Sequence, residues 1–124
     1  EICACLVGSE MCIRDSYRLT KRVSPDLVVA LHTQGRVIYW RYLDLTPPGA
    51  ESCGEAMAAA SGYALEDTPY ASGYAGYKDW FILEYDRPGY TVECGEGENP
   101  LPYSDFDIIY PDVRALLAQA VLGC

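Results

Sequence analysis

Short apolar runs alternate along this chain with segments whose apolar residues recur at helical spacing. Residues 26–31 (DLVVAL) form an unbroken aliphatic run after Ser24-Pro25, which predicts a strand buried on both faces. Residues 37–40 are a second short apolar run, and residues 90–94 are a further β-type run. Runs of this length are typical of strands in a buried sheet.

Two longer segments have the spacing of helices. Residues 50–61 are Ala-rich, with Gly62 where a helix C-cap is expected. Residues 106–121 carry apolar side chains at steps of three and four, with Ser104 as the predicted N-cap, and Pro111 either kinks this helix or marks its true start. Residues 78–83 fit one helical turn or a short strand. Strands that alternate with helices predict the α/β fold class.

Composition narrows the possible functions. Half of the residues are apolar, so the chain is predicted to be globular, and its length suits one domain. Acidic residues outnumber basic ones 18 to 9, for a net charge of −9, which argues against nucleic acid or an anionic membrane surface as the main partner. No apolar run approaches the roughly 18 residues of a membrane span, so none is predicted.

Residues 1–16, EICACLVGSEMCIRDS, differ from the rest of the chain. They show neither helical nor strand periodicity, and they lack the basic start and the apolar run of a signal peptide. Residues 6–16 resemble the translation of a transposon-type sequencing adapter. Residues 1–16 are therefore predicted to be an artefact without a fold, and 17–124 to be the native part, whose upstream sequence has been lost. The alternative is a genuine N-terminal arm.

The cysteines give no strong signal. Three of the six lie in residues 1–16, which leaves Cys53, Cys94 and Cys124, an odd number at irregular spacing. That set predicts neither a disulfide framework nor a zinc knuckle, and it does not decide the redox compartment. Cys94 is predicted to be a small buried cysteine, because the chain offers only His32 as a base for a thiol nucleophile.

Two titratable residues stand at the ends of predicted strands. His32 comes directly after the run 26–31, and Glu93 ends the run that begins at Tyr90. In open α/β sheets, ligands bind beyond the carboxyl ends of the strands. A carboxylate at the end of such a strand is predicted to be partly buried, which suits a general base. For His32 alone, a surface or hydrogen-bonded residue is the alternative.

Three motifs in one order give the chain a family resemblance. They are His32-Thr33-Gln34-Gly35 after LVVAL, the segment 76–81 (GYKDWF), and the segment 87–95 (RPGYTVECG). With the terminal helix, they resemble the zinc carboxypeptidase family, and within it the bacterial peptidases that cut γ-D-glutamyl–diaminopimelate bonds of cell-wall peptides. The resemblance runs from about residue 23 to residue 122.

The resemblance implies a fold and a metal. The expected fold is the C-terminal half of a mixed sheet with flanking helices. His32 matches the third zinc ligand of the family, and Glu93 matches its general base. The other two Zn²⁺ ligands have no match here, because His32 is the only histidine. They are expected upstream, and the fragment is expected to be inactive alone, since catalytic zinc needs three protein ligands.

The resemblance also implies substrate-binding residues. A mobile tyrosine of the family matches Tyr70 first and Tyr74 second. Lys78 matches a position that lines the pocket for the released residue, where a cation would favour the carboxylate of diaminopimelate. The alternatives are tyrosines that pack a loop and a solvated surface lysine.

Two functions follow from these residues. One is a piece of a bacterial zinc metallopeptidase, a hydrolase in which metal-activated water and Glu93 cleave peptide or cell-wall muropeptide substrates. The other is a non-catalytic peptidase-like module that binds cell-wall peptides without cutting them. The presence of both His32 and Glu93 in matching contexts favours the hydrolase.

Overall fold

A four-stranded mixed sheet forms the centre of the described residues. The computed structural model describes residues 14–69 and 76–124. The strands are β1 (Val28–His32), β2 (Val37–Tyr39), β3 (Ala64–Glu66) and β4 (Gly89–Glu93). Their spatial order is β1-β4-β2-β3, with β4 parallel to β1 and antiparallel to β2, and with β2 parallel to β3. Strands and helices therefore form the α/β fold that the sequence predicts.

Helices cover the two faces of the sheet unequally. They are α1 (residues 14–23), α2 (Ala50–Ser61), α3 (Tyr77–Tyr85) and α4 (Phe106–Leu122), the last preceded by a 3₁₀ turn (Tyr103–Asp105). α2 and α4 pack together on one face, whereas α3 lies on the other face against β1 and β4. α1 packs on α3, with the Tyr17 and Trp80 rings 5.2 Å apart and a 2.6 Å hydrogen bond between the hydroxyls of Thr20 and Tyr77.

Side-chain alternation divides β4 between these faces. Tyr90 and Val92 are fully buried against α2 and α4. Thr91 and Glu93 point to the opposite face, because successive side chains of a strand alternate. The apolar cluster around Tyr90 and Val92 also contains Ile38, Met57 and Leu116. The main core of the protein therefore lies between the sheet and the α2–α4 layer.

The predicted helices are present, with a corrected start for the last one. α2 has the predicted bounds, and Gly62 closes it in left-handed backbone geometry, with a φ of 71°. The prediction of Ser104 as the N-cap of α4 is wrong. The chain enters α4 through a 3₁₀ turn that contains Ser104, and Asp105 is the N-cap. Pro111 lies inside α4 and therefore does not mark its start.

The shorter elements show where local pattern is insufficient. Residues 78–83, for which both helix and strand were open, belong to α3. β3 is absent from the sequence predictions, because its three residues have no periodicity of their own and, among the described strands, pair with β2 alone. The predicted runs 26–31 and 90–94 are β1 and β4, with ends shifted by one or two residues. The prediction that the first of them is buried on both faces is wrong, because β1 lies at the edge of the sheet and Leu31 is 48% exposed.

A disulfide joins the two helices of the buried layer. Cys53 of α2 bonds to Cys124, which follows α4, and their Cα atoms are 5.2 Å apart across 71 residues of sequence. The cysteine count does not predict this pairing, because only the packing of α4 beside α2 brings the two thiols together. Cys94 is free and buried, as predicted.

Two further predictions concern the N-terminus and the membrane. Residues 1–13 of the segment predicted to be an artefact lie outside the described residues, and residues 14–16 belong to α1. None of the helices within residues 14–69 and 76–124 is both long and apolar enough to cross a membrane.

Candidate functional site

His32 and Glu93 lie side by side at one edge of the sheet. They are the last residues of the parallel neighbours β1 and β4, and their Cα atoms are register partners. The Cys94 amide donates a hydrogen bond to the His32 carbonyl oxygen at 2.8 Å, which continues the ladder past both residues. Parallel strands end at the same edge of a sheet, so this pairing brings the imidazole and the carboxylate to one place.

Gly95 joins the loops that follow the two strands. Its carbonyl oxygen accepts hydrogen bonds from the Gly35 and Arg36 amides, at 2.8 and 3.1 Å. Its φ of 73° lies in the left-handed region, and a Cβ atom there would lie 2.6 Å from Ile109 Cδ1. Glycine is therefore favoured at this position, because a side chain would be strained by the backbone conformation and would press on Ile109.

Two side-chain contacts attach the loop after β1 to other parts of the protein. The Asn99 side-chain amide donates to the Thr33 carbonyl oxygen at 3.0 Å. The Arg36 guanidinium pairs with the Asp112 carboxylate of α4 at 2.7 Å. The residues after His32 are thus attached both to the loop after β4 and to the helical layer.

A cavity of about 630 Å³ opens on the face of the sheet that carries Glu93. Its sheet side consists of Ala30, His32, Tyr39, Thr91 and Glu93. Its other walls are Thr33, Gln34, Thr68, Pro69, Asn99 and residues 76–79 at the start of α3. His32, Glu93 and Lys78, which the sequence singles out separately, therefore border one cavity.

The two strand-end residues differ in exposure. His32 is exposed, whereas Glu93 is half-buried, as predicted for that carboxylate. A neutral imidazole has a lone pair for a metal ion or a proton, and an ionised carboxylate has only acceptor oxygens. Side by side, the two groups can coordinate a cation or accept a proton from a ligand in the cavity.

Glu93 affects the ionisation of two neighbours. Burial, and after it the charges of Glu66 and Glu93, raise the pKa of Tyr39. Burial, and after it the charge of Glu93, raise the pKa of the Cys94 thiol. Both groups are therefore protonated at neutral pH. Cys94 is not a thiolate nucleophile, and the Tyr39 hydroxyl keeps its hydrogen-bond donor.

Lys78 is buried in the cavity wall, with 2% of its side chain exposed. Its ammonium donates hydrogen bonds to the Arg41 carbonyl oxygen at 2.8 Å, to Thr68 Oγ1 at 3.1 Å and to the Asp79 carboxylate. The alternative of a solvated surface lysine is therefore wrong. The predicted contact of Lys78 with a substrate carboxylate stays a prediction.

Part of the predicted site lies outside the described residues. Tyr70 and Tyr74, the candidate mobile tyrosines, fall in residues 70–75. Within residues 14–69 and 76–124, no three His, Cys, Asp or Glu side chains group as a metal site. His32 offers one imidazole, whereas catalytic zinc needs three protein ligands, so the described residues do not make a zinc site by themselves.

Sequence reasoning did not single out several residues of the cavity. Asp79 carries one local signal, because an acidic residue in the first turn of a helix is favoured by the helix dipole. Thr68 and Asn99 lie on loops and have no comparable signal. They reach the cavity only because the sheet order brings their loops beside the ends of β1 and β4.

Sequence similarity connects the chain to longer bacterial proteins. The chain matches no protein-family model. It is 54% identical over 89 residues to gamma-D-glutamyl-L-diamino acid endopeptidase 1 of Lysinibacillus sphaericus, and the match covers 72% of this chain and 22% of that protein. It is 41% identical over 105 residues to the uncharacterized protein YqgT of Bacillus subtilis (strain 168), and that match covers 85% of this chain and 28% of that protein.

The chain thus spans about a quarter of the length of the curated relatives that it matches. The predicted similarity to bacterial γ-D-glutamyl peptidases is confirmed at the level of sequence. Membership of the zinc carboxypeptidase family stays a prediction.

Proposed function

We propose that this chain is part of a metallopeptidase that hydrolyses γ-D-glutamyl–diamino acid bonds of cell-wall peptides, with zinc-activated water and Glu93 as the general base. The observation that carries the proposal is the register of His32 with Glu93 at the edge of one cavity. The similarity to an endopeptidase named for γ-D-glutamyl-L-diamino acid supports the substrate class.

Each residue has one role in this proposal. His32 supplies one zinc ligand, and the other ligands come from upstream sequence. Zinc held there would supply Lewis-acid chemistry, polarising the scissile carbonyl and lowering the pKa of a bound water. Glu93 takes a proton from the attacking water and transfers it to the leaving amine, so that the peptide bond is replaced by a carboxylate and an amine. Its half-buried position at the cavity edge suits this proton transfer.

The role of Glu93 is tested in the protein extended by its natural upstream sequence. Glu93→Gln keeps the side-chain shape and removes the base, so hydrolysis of a γ-D-glutamyl–diaminopimelate peptide should fall by about 10²–10⁴-fold while bound zinc is retained. Glu96→Gln is the matched control, because Glu96 is exposed and lies in the following loop. Undiminished hydrolysis by Glu93→Gln would disprove the general-base role.

The role of His32 is tested by metal content in the same extended protein. His32→Ala should lower the zinc bound per protein chain, whereas Glu93→Gln should not. If the wild-type extended protein binds the peptide but does not cleave it when zinc is supplied, the non-catalytic module is the correct function.

A further inference from the structure

Lys78 and Asp79 form a buried ion pair in the cavity wall. Their side chains are 2% and 7% exposed, and the ammonium contacts Asp79 Oδ1. Burying two charges is unfavourable unless both are paired and fully hydrogen-bonded. The hydrogen-bond partners of Lys78 and Asp79 therefore identify the segments of the chain that this ion pair connects.

The Lys78 ammonium has no donor left for a ligand. A lysine ammonium has three N–H donors and no acceptor. These donors meet the Arg41 carbonyl oxygen, Thr68 Oγ1 and Asp79 Oδ1. A substrate carboxylate would have to displace one of these three oxygens from a buried position.

The pair connects three segments that are distant along the chain. Arg41 follows β2, Thr68 follows β3, and Gly76 immediately precedes α3. The Thr68 hydroxyl donates to the Arg41 carbonyl oxygen at 2.8 Å, and the Gly76 amide donates to Asp79 Oδ2 at 3.1 Å. Thr68 and Gly76 both line the cavity, so the pair holds two parts of its wall.

The backbone of β4 packs directly against the first turn of α3, which carries Lys78 and Asp79. Gly89 begins β4 beneath the first turn of α3, and a Cβ atom there would lie 3.2 Å from Lys78 Cγ and 3.3 Å from the Lys78 carbonyl oxygen. Because glycine has no side chain, the turn rests directly on the strand backbone. The aliphatic part of Lys78 is thereby confined against β4 while its ammonium reaches Arg41 and Thr68.

We propose that Lys78 and Asp79 are a positioning pair, which fixes Thr68 and Gly76 and thereby sets the shape of the cavity wall. We also infer, on the basis of the proposed function, that the Lys78 ammonium does not bind the substrate carboxylate. The pair is neutral as a unit, and the Thr68 hydroxyl and the Gly76 amide are hydrogen-bonded within the wall, so this part of the wall selects a ligand by shape.

The first arm of the test uses the 124-residue chain and needs no enzymatic activity. Lys78→Met keeps the apolar stem and removes the ammonium. Hydrogen exchange of the Gly76 amide should then accelerate by about tenfold or more, because Asp79 loses its partner. Thr68→Val leaves no charge unpaired and should accelerate the same exchange by a smaller factor. It serves as the second variant if Lys78→Met does not fold.

A charge control and a rescue sharpen this arm. Asp67 makes an exposed ion pair with Arg41 at 2.9 Å, so Asp67→Asn should leave Gly76 exchange unchanged within about twofold. The double variant Lys78→Met/Asp79→Asn should exchange more slowly than Lys78→Met, because no uncompensated buried charge remains. Unchanged Gly76 exchange in both Lys78→Met and Thr68→Val would overturn the positioning role.

The second arm uses the extended protein and two peptides, one that releases diaminopimelate and one that releases lysine. A positioning pair predicts that Lys78→Met raises KM for both peptides by the same factor, within about twofold, with a smaller change in kcat. Weaker binding of the diaminopimelate peptide alone would overturn the proposal in favour of a direct carboxylate contact. If the extended protein cleaves neither peptide, the proposed function fails, and Gly76 exchange still decides whether the pair is a positioning one.

Discussion

The two faces of the central sheet differ in how they are closed. α2 and α4 seal one face, where Tyr90, Val92 and Leu116 have no exposed surface. On the other face, α3 covers the sheet near the start of β4, and the cavity opens at the carboxyl ends of β1 and β4. The sealed face is apolar, whereas the open face carries charged and polar side chains.

A single strand serves both faces. β4 has five residues, of which Tyr90 and Val92 enter the sealed core while Thr91 and Glu93 line the cavity. Because this division follows from side-chain alternation, stability and chemistry can be changed separately by substitutions one residue apart. Substitutions on the sealed face should therefore change stability without disturbing the environment of His32.

The largest effect is expected in the sealed layer. Leu116→Ala removes a fully buried side chain and should lower the free energy of unfolding by about 2–5 kcal/mol, measured by urea denaturation of the chain. Leu117→Ala on the same helix is the control and should lose markedly less, because Leu117 is 36% exposed. The ring proton shifts of His32 should stay unchanged in both variants. A shifted His32 signal in Leu116→Ala would break the separation of the faces.

An intermediate effect is expected where the two faces meet. Gly95→Ala should destabilise the chain by about 1–3 kcal/mol more than Gly49→Ala. Both glycines have positive φ, but a Cβ atom at Gly95 would lie 2.6 Å from Ile109 Cδ1, whereas at Gly49 nothing lies within 4 Å. Because the Gly95 carbonyl also holds the loop after His32, this variant should shift the His32 signals. Equal losses in the two glycine variants would show that contact with α4 contributes nothing.

The smallest effect is expected from one hydroxyl in the sealed core. Tyr90 donates a hydrogen bond to the Ala50 carbonyl oxygen at 2.7 Å, so Tyr90→Phe should lose about 0.5–1.5 kcal/mol of unfolding free energy at neutral pH. Tyr103→Phe is the control, because Tyr103 is fully exposed. If Tyr103→Phe lowered the free energy of unfolding as much as Tyr90→Phe, the loss could not be assigned to the Tyr90 hydrogen bond.

The same residue predicts a pH dependence. Burial raises the pKa of Tyr90 above the ordinary tyrosine value of 10.0. Above that pH the unfolded chain releases the phenolic proton while the folded chain keeps it, so stability falls as pH rises. The wild-type chain should therefore lose stability more steeply than Tyr90→Phe above pH 10, by about 1 kcal/mol per pH unit. Parallel pH profiles of the two chains would contradict this.

Much of the fold and part of the site could be predicted from the sequence. The run before His32, the run before Glu93 and the helix at residues 50–61 each have a local pattern that the structure confirms. The half-buried state of Glu93 was also predictable, because an acidic residue that ends an apolar strand lies where the buried part of the sheet meets the solvent. β3 was not predictable, because three residues that pair with β2 carry too little pattern.

The amino-acid sequence by itself determined that β1, β4, α2 and α4 are strands and helices, because hydrophobic periodicity is a property of near neighbours; it did not determine β3 or the start of α4. The tertiary structure alone decided that His32 pairs with Glu93, that Cys53 meets Cys124 and that Lys78 donates to Arg41. These partners lie far apart along the chain, and Lys78 and Arg41 are separated by 37 positions. Their contact depends on the order of the strands and on how the helices pack against them, which no local pattern encodes.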